Sequence, residues 1–492
     1  MVKSAIQLNK DRSEIGFVTL NSAEHTSTRS HNGTPGNGAG FYQVLLAGLA
    51  ADGGLYLPGE WPQIPLEKLP GKSFAEIAEV VMAPFVAPEI SRKNLRRLIA
   101  TAYAGFDHPE VTPLRQYKPG HHILELFHGP TLAFKDIALQ LLGLLLDEAL
   151  VESSAGTQRN LTVLGATSGD TGPAAIEGMK GRSHIRTVML YPKGRVSKVQ
   201  RRQMTTVRAD NVHPIAVEGT FDDCQKMVKA LFHDSTCRQR YNLTAINSIS
   251  WARLLPQMVY YFYAWSRLEK PLVFSVPTGN FGDVFAGYMA KRCGLPIKKL
   301  IVASNSNDIL PRFINNGDYS LQGVHATQSP SMDISVASNF ERYLFEVLGR
   351  DAAALREMMH TFEDTGRLPP LTPEQMATVR HDFAATKADE TDTRNCIKKA
   401  WQQQHILLDP HTAVGLHAAE EHLKIHREDP VVTLATAHPA KFGDAVKTAT
   451  GQTPELPERL AHIMDAEEQF ETIPADVGAL KGVLEKMSST VV

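Results

Sequence analysis

The 492-residue sequence has only four cysteines, Cys224, Cys237, Cys293 and Cys396, and no CxxC pair. Thiols so scattered supply neither a disulfide frame nor a zinc site, and they read as reduced cytosolic cysteines. Charge of one sign is lacking too. The 51 Lys and Arg residues and 53 Asp and Glu residues leave a net charge of −2. No broad basic excess exists to release counterions from a nucleic acid. Long hydrophobic runs are missing. The most apolar stretches, 137–146 and 254–265, fall short of the ~20 residues that span a bilayer and predict buried helices. Lys3, Lys10, Asp11, Arg12 and Glu14 leave no room for a secretory apolar segment. The expectation is a cytoplasmic protein with neither a nucleic-acid nor a membrane partner.

Familiar catalytic signatures are sparse as well. No H-E-x-x-H occurs. His417, His422 and His426, with His411 just before them, read as a solvated helix face rather than a metal site. His121 and His122 read as a loop pair before a strand, and no metal is expected. Ser168 lacks the G-x-S-x-G elbow of a serine hydrolase, because Gly165 stands three positions before it.

What is present fits a globular chain with ample core. Apolar residues make up 43% and charged residues 21%, and the length suggests two to four domains at ~150 residues each. Residues 32–40 (NGTPGNGAG) predict an exposed flexible loop. Residues 41–100 have helical spacing broken by Pro and Gly and predict a small N-terminal domain over 1–100. From residue 123 short β-rich runs alternate with helices. The runs are 161–165, 185–191, 213–217, 272–276, 300–303 and 431–435. This alternation predicts an α/β fold with parallel or mixed sheets covered by helices on both faces. Residues 101–150 and 251–475 are assigned to a large α/β domain and 151–250 to a smaller one. Residues 350–400 read as a solvated helical insertion, and the last five residues should fray.

Three loops follow predicted strands and precede predicted helices, the side on which open α/β sheets bind ligands. In Gly165-Ala-Thr-Ser-Gly-Asp-Thr-Gly172, the hydroxyls of Thr167, Ser168 and Thr171 adjoin the free N–H groups of the next helix. That arrangement suits a carboxylate or phosphate, although a tight turn with an N-cap would use the same residues. In Val276-Pro-Thr-Gly-Asn-Phe-Gly-Asp283, Gly279 and Gly282 bracket Asn280 and Phe281 at a helix start, which suits an anion nest. The loop lacks both G-x-x-x-x-G-K-[ST] and G-x-G-x-x-G, so it fits a phosphate on a ligand smaller than a dinucleotide. In the third, His128–Ile137, Lys135 sits between Phe134 and Ile137 at the head of an apolar helix. Desolvation there lowers the affinity of its amine for a proton and makes it a nucleophile or base. The plain alternative is a lysine snorkelling at a helix end or paired with Asp136.

Taken together, HGPTLAFKD (128–136), TSGDTG (167–172), INSISWARLLPQ (246–257), PTGNFGD (277–283), SPSMDI (329–334), SNFER (338–342) and ATAHPAKF (435–442) resemble the threonine synthase family of fold-type II pyridoxal-phosphate enzymes. Ser27-Thr28-Arg29 and residues 48–54 resemble its N-terminal domain. The resemblance implies that Lys135 holds the cofactor covalently and that Gly279, Asn280, Phe281 and Gly282 bind its phosphate. It implies that Thr436 meets the pyridine nitrogen with a hydroxyl. Thr167, Ser168 and Thr171 would take the substrate carboxylate, and Asn247, Ser248 and Arg253 its phosphate. Asp170 stands where many fold-type II enzymes carry Asn facing the cofactor's O3′. A carboxylate there repels a phenolate unless a proton is shared or Asp170 turns away, so it is assigned to the cofactor loop without a partner.

The implied reaction is conversion of O-phospho-L-homoserine and water to L-threonine and phosphate, by γ-elimination and β-addition of water, in a monomer or homodimer. Lys135 would remove the Cα proton and then a Cβ proton. Two readings stand beside it: a pyridoxal-phosphate lyase that releases a keto acid, and a catalytically silent homologue. Intact Lys135, Thr436, Asn247, Ser248 and Arg253 argue against silence.

Overall fold

The computed structural model describes residues 24–30, 38–153 and 160–489. The expected loop at 32–40 lies mostly outside them, and the tip of the C-terminus lies outside them too. A small antiparallel ribbon pairs β1 (His25–Ser27) with β2 (Tyr56–Pro58). The remaining strands are β3 (Leu114–Lys118), β4 (His121–Glu125), β5 (Leu161–Ala166), β6 (Ile185–Pro192), β7 (Val212–Glu218), β8 (Leu243–Thr244), β9 (Leu272–Pro277), β10 (Ile297–Ser304), β11 (Phe383–Lys387), β12 (Val431–Ala435) and β13 (Glu471–Pro474).

A six-stranded sheet runs in the order β11-β10-β9-β12-β4-β3, and a five-stranded sheet in the order β13-β7-β6-β5-β8. Every pairing in the two is parallel except β3 with β4 at an edge. The central strands β9 and β12 are buried at every position. Strands covered on both faces need continuous apolar runs, which is why LVFSV and VVTLA were legible.

The two apolar stretches are helices. Lys135–Ser153 packs against Thr171–Met179 through a reciprocal glycine contact. A Cβ on Gly143 would lie 2.1 Å from the Gly178 carbonyl, and one on Gly178 would lie 2.3 Å from that of Leu139. Trp251–Leu268 is buried almost all round and carries Tyr260, Tyr261 and Tyr263 inside the core. Residues 41–103 add three helices, Phe41–Ala47, Phe74–Val86 and Arg92–Tyr103. They share the main core instead of forming their own: Phe74 packs on Tyr263 at 5.6 Å and Phe85 on Trp251 at 6.0 Å between ring centres.

The chain differs from the sequence expectation in three places. Residues 350–400 are not wholly helical, because β11 lies among them and forms the edge of the large sheet. Its neighbours Phe362, Val379 and Ile397 are buried, so the segment is part of the core and not only a solvated insertion. Residues 471–489 return to the five-stranded sheet as β13 and the helix Val477–Ser489, whereas the large unit had been expected to run to 475. His121 opens β4 instead of lying in a loop. It is buried, with Nε2 2.8 Å from Thr433 Oγ1.

Candidate active site

The three loops singled out in the sequence follow β4, β5 and β9, and Thr436 follows β12, so all lie at the carboxyl ends of parallel strands. Lys135 is the first residue of its helix and is buried. Its Nζ lies 3.4 Å from Asp170 Oδ2 and 4.5 Å from the centre of the Phe134 ring. Burial lowers its proton affinity and Asp170 opposes this, while the charges of Lys441 and Arg253 lower it further. The neighbour Asp136 turns away from Lys135. It accepts from the Thr131 N–H at 2.8 Å and the Thr131 hydroxyl at 2.6 Å, which folds the loop back on itself.

The glycine loop is held by close approach and by an aromatic anchor. A Cβ on Gly279 would lie 2.3 Å from the Ser331 carbonyl. Phe281 caps the helix Gly282–Arg292 in the left-handed region, with φ 63°, and packs its ring against Phe340 and Phe383 at 5.3 and 5.4 Å. The first-turn N–H groups of that helix have no helical partners, as at any helix start, and so are available to an anion. Asn280 is exposed at its tip. Asn339 Nδ2 donates to the Asn280 carbonyl at 3.0 Å and to the Ser248 carbonyl at 3.1 Å, so one side chain ties two predicted loops together. Ser338 Oγ stands 3.4 Å from both Asn280 Oδ1 and Ser248 Oγ.

Thr167, Ser168 and Thr171 do not have equivalent surroundings. Thr167 is buried and its hydroxyl accepts from the Gly169 and Gly172 N–H groups at 3.0 Å each, so it shapes the turn. Ser168 and Thr171 are half-buried, and their hydroxyls have no partner among the described residues. Thr436 is buried; its carbonyl accepts from the Phe134 N–H at 2.9 Å, which docks β12 against the lysine loop. Its hydroxyl, too, has no partner among the described residues.

Of the three residues expected to hold the substrate phosphate, Arg253 is the most telling. It is 3% exposed, donates to the Ile246 carbonyl at 2.9 Å, and leaves its Nε unpartnered. No carboxylate pairs with it among the described residues. Burial pulls its pKa down to about 10, so it stays charged at neutral pH. Ser248 lies five positions before it in the chain. Asn247 is exposed and lines a groove of about 1270 Å³ between residues 46–53 and the smaller sheet.

Sequence reasoning missed the partners of Asp170. Asp170 is buried, and its Oδ1 takes a salt bridge from Lys441 Nζ at 2.8 Å and a hydrogen bond from Gln200 Nε2 at 2.9 Å. Burial pushes its pKa up, but the charges of Lys441 and Lys135 outweigh that and hold it well below the usual range. Lys441 was in view only as a letter of ATAHPAKF. His411 had been grouped with a solvated helix face. Instead it is buried, bonded through Nδ1 to Asp409 at 2.8 Å and through Nε2 to the Ser331 N–H at 3.1 Å. His422 is half-buried against Asp429 at 3.0 Å, while His426 is exposed.

The charges test whether an anionic cofactor fits. Lys441 is paired with Asp170 and also acts on Asp136, whereas Arg253, whose charge acts on Lys135, has no carboxylate partner among the described residues and keeps its Nε unpartnered. A phosphate ester fits that uncompensated guanidinium.

A buried lysine at a helix head, a glycine loop against a second helix start and a hydroxyl after the last core strand define a fold-type II pyridoxal-phosphate enzyme. The comparisons agree. A family model described as pyridoxal-phosphate dependent enzyme matches residues 107–369, flanked by models for the threonine synthase N terminus at 24–103 and the threonine synthase C-terminal region at 412–484. A threonine synthase of Pseudomonas aeruginosa is 46% identical over 448 residues, covering 90% of this chain and 94% of its own. The crystal structure of a pyridoxal-phosphate-bound threonine synthase from Brucella melitensis is 45% identical with a TM-score of 0.90, covering 95% of this chain and all of its own. That of yeast threonine synthase is 39% identical with a TM-score of 0.90, covering 96% and 99%. The chain belongs to the threonine synthase family. It is a pyridoxal-phosphate-dependent lyase, and its cofactor is pyridoxal 5′-phosphate.

Proposed function

We propose that the chain converts O-phospho-L-homoserine and water to L-threonine and phosphate, with Lys135 as its catalytic residue. The observation that carries this reading is Arg253, a buried guanidinium with no acidic partner among the described residues, whose charge acts on the Lys135 amine. A cation left so exposed to desolvation is stabilised by a ligand phosphate, and the planar fork of Arg suits one.

Bound pyridoxal phosphate supplies the electron sink for charge developing at the substrate carbons. Lys135 would hold the cofactor; Gly279, Asn280, Phe281 and Gly282 would cradle its phosphate, Thr436 its ring nitrogen, and Asp170 its ring edge. Ser168 and Thr171, with the N–H groups heading Thr171–Met179, would bind the substrate carboxylate, while Thr167 keeps the turn in shape. Asn247, Ser248 and Arg253 would hold the substrate phosphate. Burial lowers the proton affinity of the Lys135 amine, which suits it to take a proton from Cα, pass it on, and then take one from Cβ. Arg253 then retains the leaving phosphate near the site while water adds at Cβ. The 1–100, 101–150 with 251–475, and 151–250 units would position these loops, with 471–489 returning to the third.

No helix among the described residues is long and apolar enough to cross a membrane. Four buried free cysteines support a reducing, cytoplasmic setting for a monomer or homodimer. The test is phosphate release from O-phospho-L-homoserine with the amino-acid product identified. Threonine formed in step with phosphate supports the proposal. Phosphate with 2-oxobutyrate instead would move the chain to the keto-acid lyases.

A further inference from the structure

Asp170 sits between two lysines. Lys135 approaches Oδ2 at 3.4 Å and Lys441 approaches Oδ1 at 2.8 Å. The Lys441 side chain is fully buried, and its Nζ also donates to the Thr131 carbonyl at 2.8 Å. Thr131 belongs to the loop that ends at Lys135, so Lys441 is fixed to both sides of the site. The other groups facing Asp170 are Gln200, from the helix Lys198–Thr205, the Ser331 hydroxyl at 3.4 Å, and His411, while Lys441 also faces Asp136. Those facing Lys135 are Asp170, Lys441, Arg253 and Asp283.

Two cations on one buried carboxylate are redundant only while both are free. Lys135 is engaged with cofactor for part of any cycle and must be neutral when it acts as a base. With Lys135 as its only partner, Asp170 would at those moments be a buried uncompensated anion and would take up a proton. It would then compete with Lys135 for the proton being moved.

We propose that Lys441 is a positioning residue: its ammonium holds the Asp170 carboxylate in place throughout the cycle, leaving Lys135 the one group that moves protons. The Lys441–Asp170 pair is then a neutral polar unit at a position where a neutral amide would serve. This also answers how a carboxylate is tolerated in the cofactor loop. The inference rests on the reading that Lys135 carries the cofactor.

The test compares full-length holoenzymes: native, Lys441→Gln, and Lys441→Gln combined with Asp170→Asn. The readouts are the pH titration of the cofactor's visible absorbance and the acid limb of kcat. Glutamine keeps a donor for the Thr131 carbonyl. Removing the Lys441 charge leaves Asp170 opposed at Lys135 by Arg253 alone, so both midpoints should move to higher pH by about one unit. On the acid limb that shift lowers kcat by about tenfold. The double variant swaps a neutral ion pair for a neutral amide pair, and both midpoints should return toward native. A merely structural lysine would lower yield or melting temperature without moving either midpoint. Unmoved midpoints in Lys441→Gln, or a double variant no closer to native than the single one, would overturn the proposal. Failure of both variants to fold would confine Lys441 to stability and overturn it too. If the native protein itself lacks Lys135-dependent absorbance, the underlying reading fails instead.

Discussion

Replacing Arg253 with methionine should trade function for stability. Methionine keeps an unbranched chain of similar length, so the packing of Trp251–Leu268 is preserved while the charge goes. The guanidinium is 3% exposed and has one carbonyl as its partner. Burial lowers its pKa to about 10, which places the cost of keeping it charged at about 3 kcal/mol. The sign follows from linkage. A base whose folded pKa is depressed is destabilising at every pH at which it remains protonated, here below about 10, and the penalty fades as pH rises through that value. Without added ligand, Arg253→Met should therefore melt at a higher temperature than the native protein at pH 7. Inorganic phosphate should raise the melting temperature of the native protein more than that of the variant. In turnover the variant loses a charge-assisted contact of about 2–3 kcal/mol, which is a fall of about 30- to 160-fold in kcat/KM for O-phospho-L-homoserine. Thermal melts and continuous phosphate-release kinetics measure the two arms. A variant that is less stable than native and within about threefold of it in kcat/KM would refute the reasoning.

Lys135→Ala should abolish both the visible absorbance of bound cofactor and threonine formation; a retained band would remove Lys135 from its role. Gly279→Ala drives a Cβ to 2.3 Å from the Ser331 carbonyl. Cofactor affinity, followed by absorbance titration, should fall by about tenfold or more, because the loop must move; unchanged affinity would show that the loop yields freely. Asp283 is buried between the Tyr260 and Tyr261 hydroxyls, and burial pushes its carboxyl up to about 7. A carboxyl with a raised folded pKa loses stability as pH rises toward that value. Asp283→Asn should accordingly raise the melting temperature more at pH 8 than at pH 5, and equal shifts at both would contradict the assignment.

Much of the fold was legible because the sheets are parallel and buried. Strands β5, β6, β7, β9 and β12 carry mainly apolar runs, and burial on both faces favours that pattern. Strands β11 and β13 were not legible. They are edge strands with short, mostly uncovered sequences, FAATK and ETIP, set among charged residues. The loops that gather at the candidate site were readable from glycine and hydroxyl spacing, since backbone approach to an anion needs those residue types locally. Lys441 and His411 were not, because a lysine or histidine near a helix end reads as solvated. Their burial arises only when β4, β5 and β12 bring Thr131, Asp170 and residues 436–442 together. Asp170 was flagged as anomalous from sequence, and the anomaly was real, but its resolution lay in a partner far along the chain.

The motifs that narrow the family form one connected device. Thr28 and Arg29 both bond Glu341, the hydroxyl at 2.7 Å and the guanidinium at 2.8 and 3.0 Å. The adjoining Arg342 is fully buried and gathers three acceptors: the Tyr56 carbonyl at 3.0 Å, the Ile249 carbonyl at 2.6 Å and the Asn339 side chain. Asn339 then bonds the loops containing Ser248 and Asn280. A path of hydrogen bonds thus runs from the N-terminal ribbon to the two segments assigned to cofactor phosphate and substrate phosphate. Bonded carbonyls on both loops fix the separation of the two anion sites more firmly than side chains reaching from either loop alone. Ser27-Thr28-Arg29 and SNFER therefore belong together for a physical reason. The N-terminal segment is the far anchor of the side chain that spaces the two loops proposed to hold phosphates. A fold-type II enzyme whose substrate carries no phosphate has no second phosphate site to space, and hence no need of that anchor.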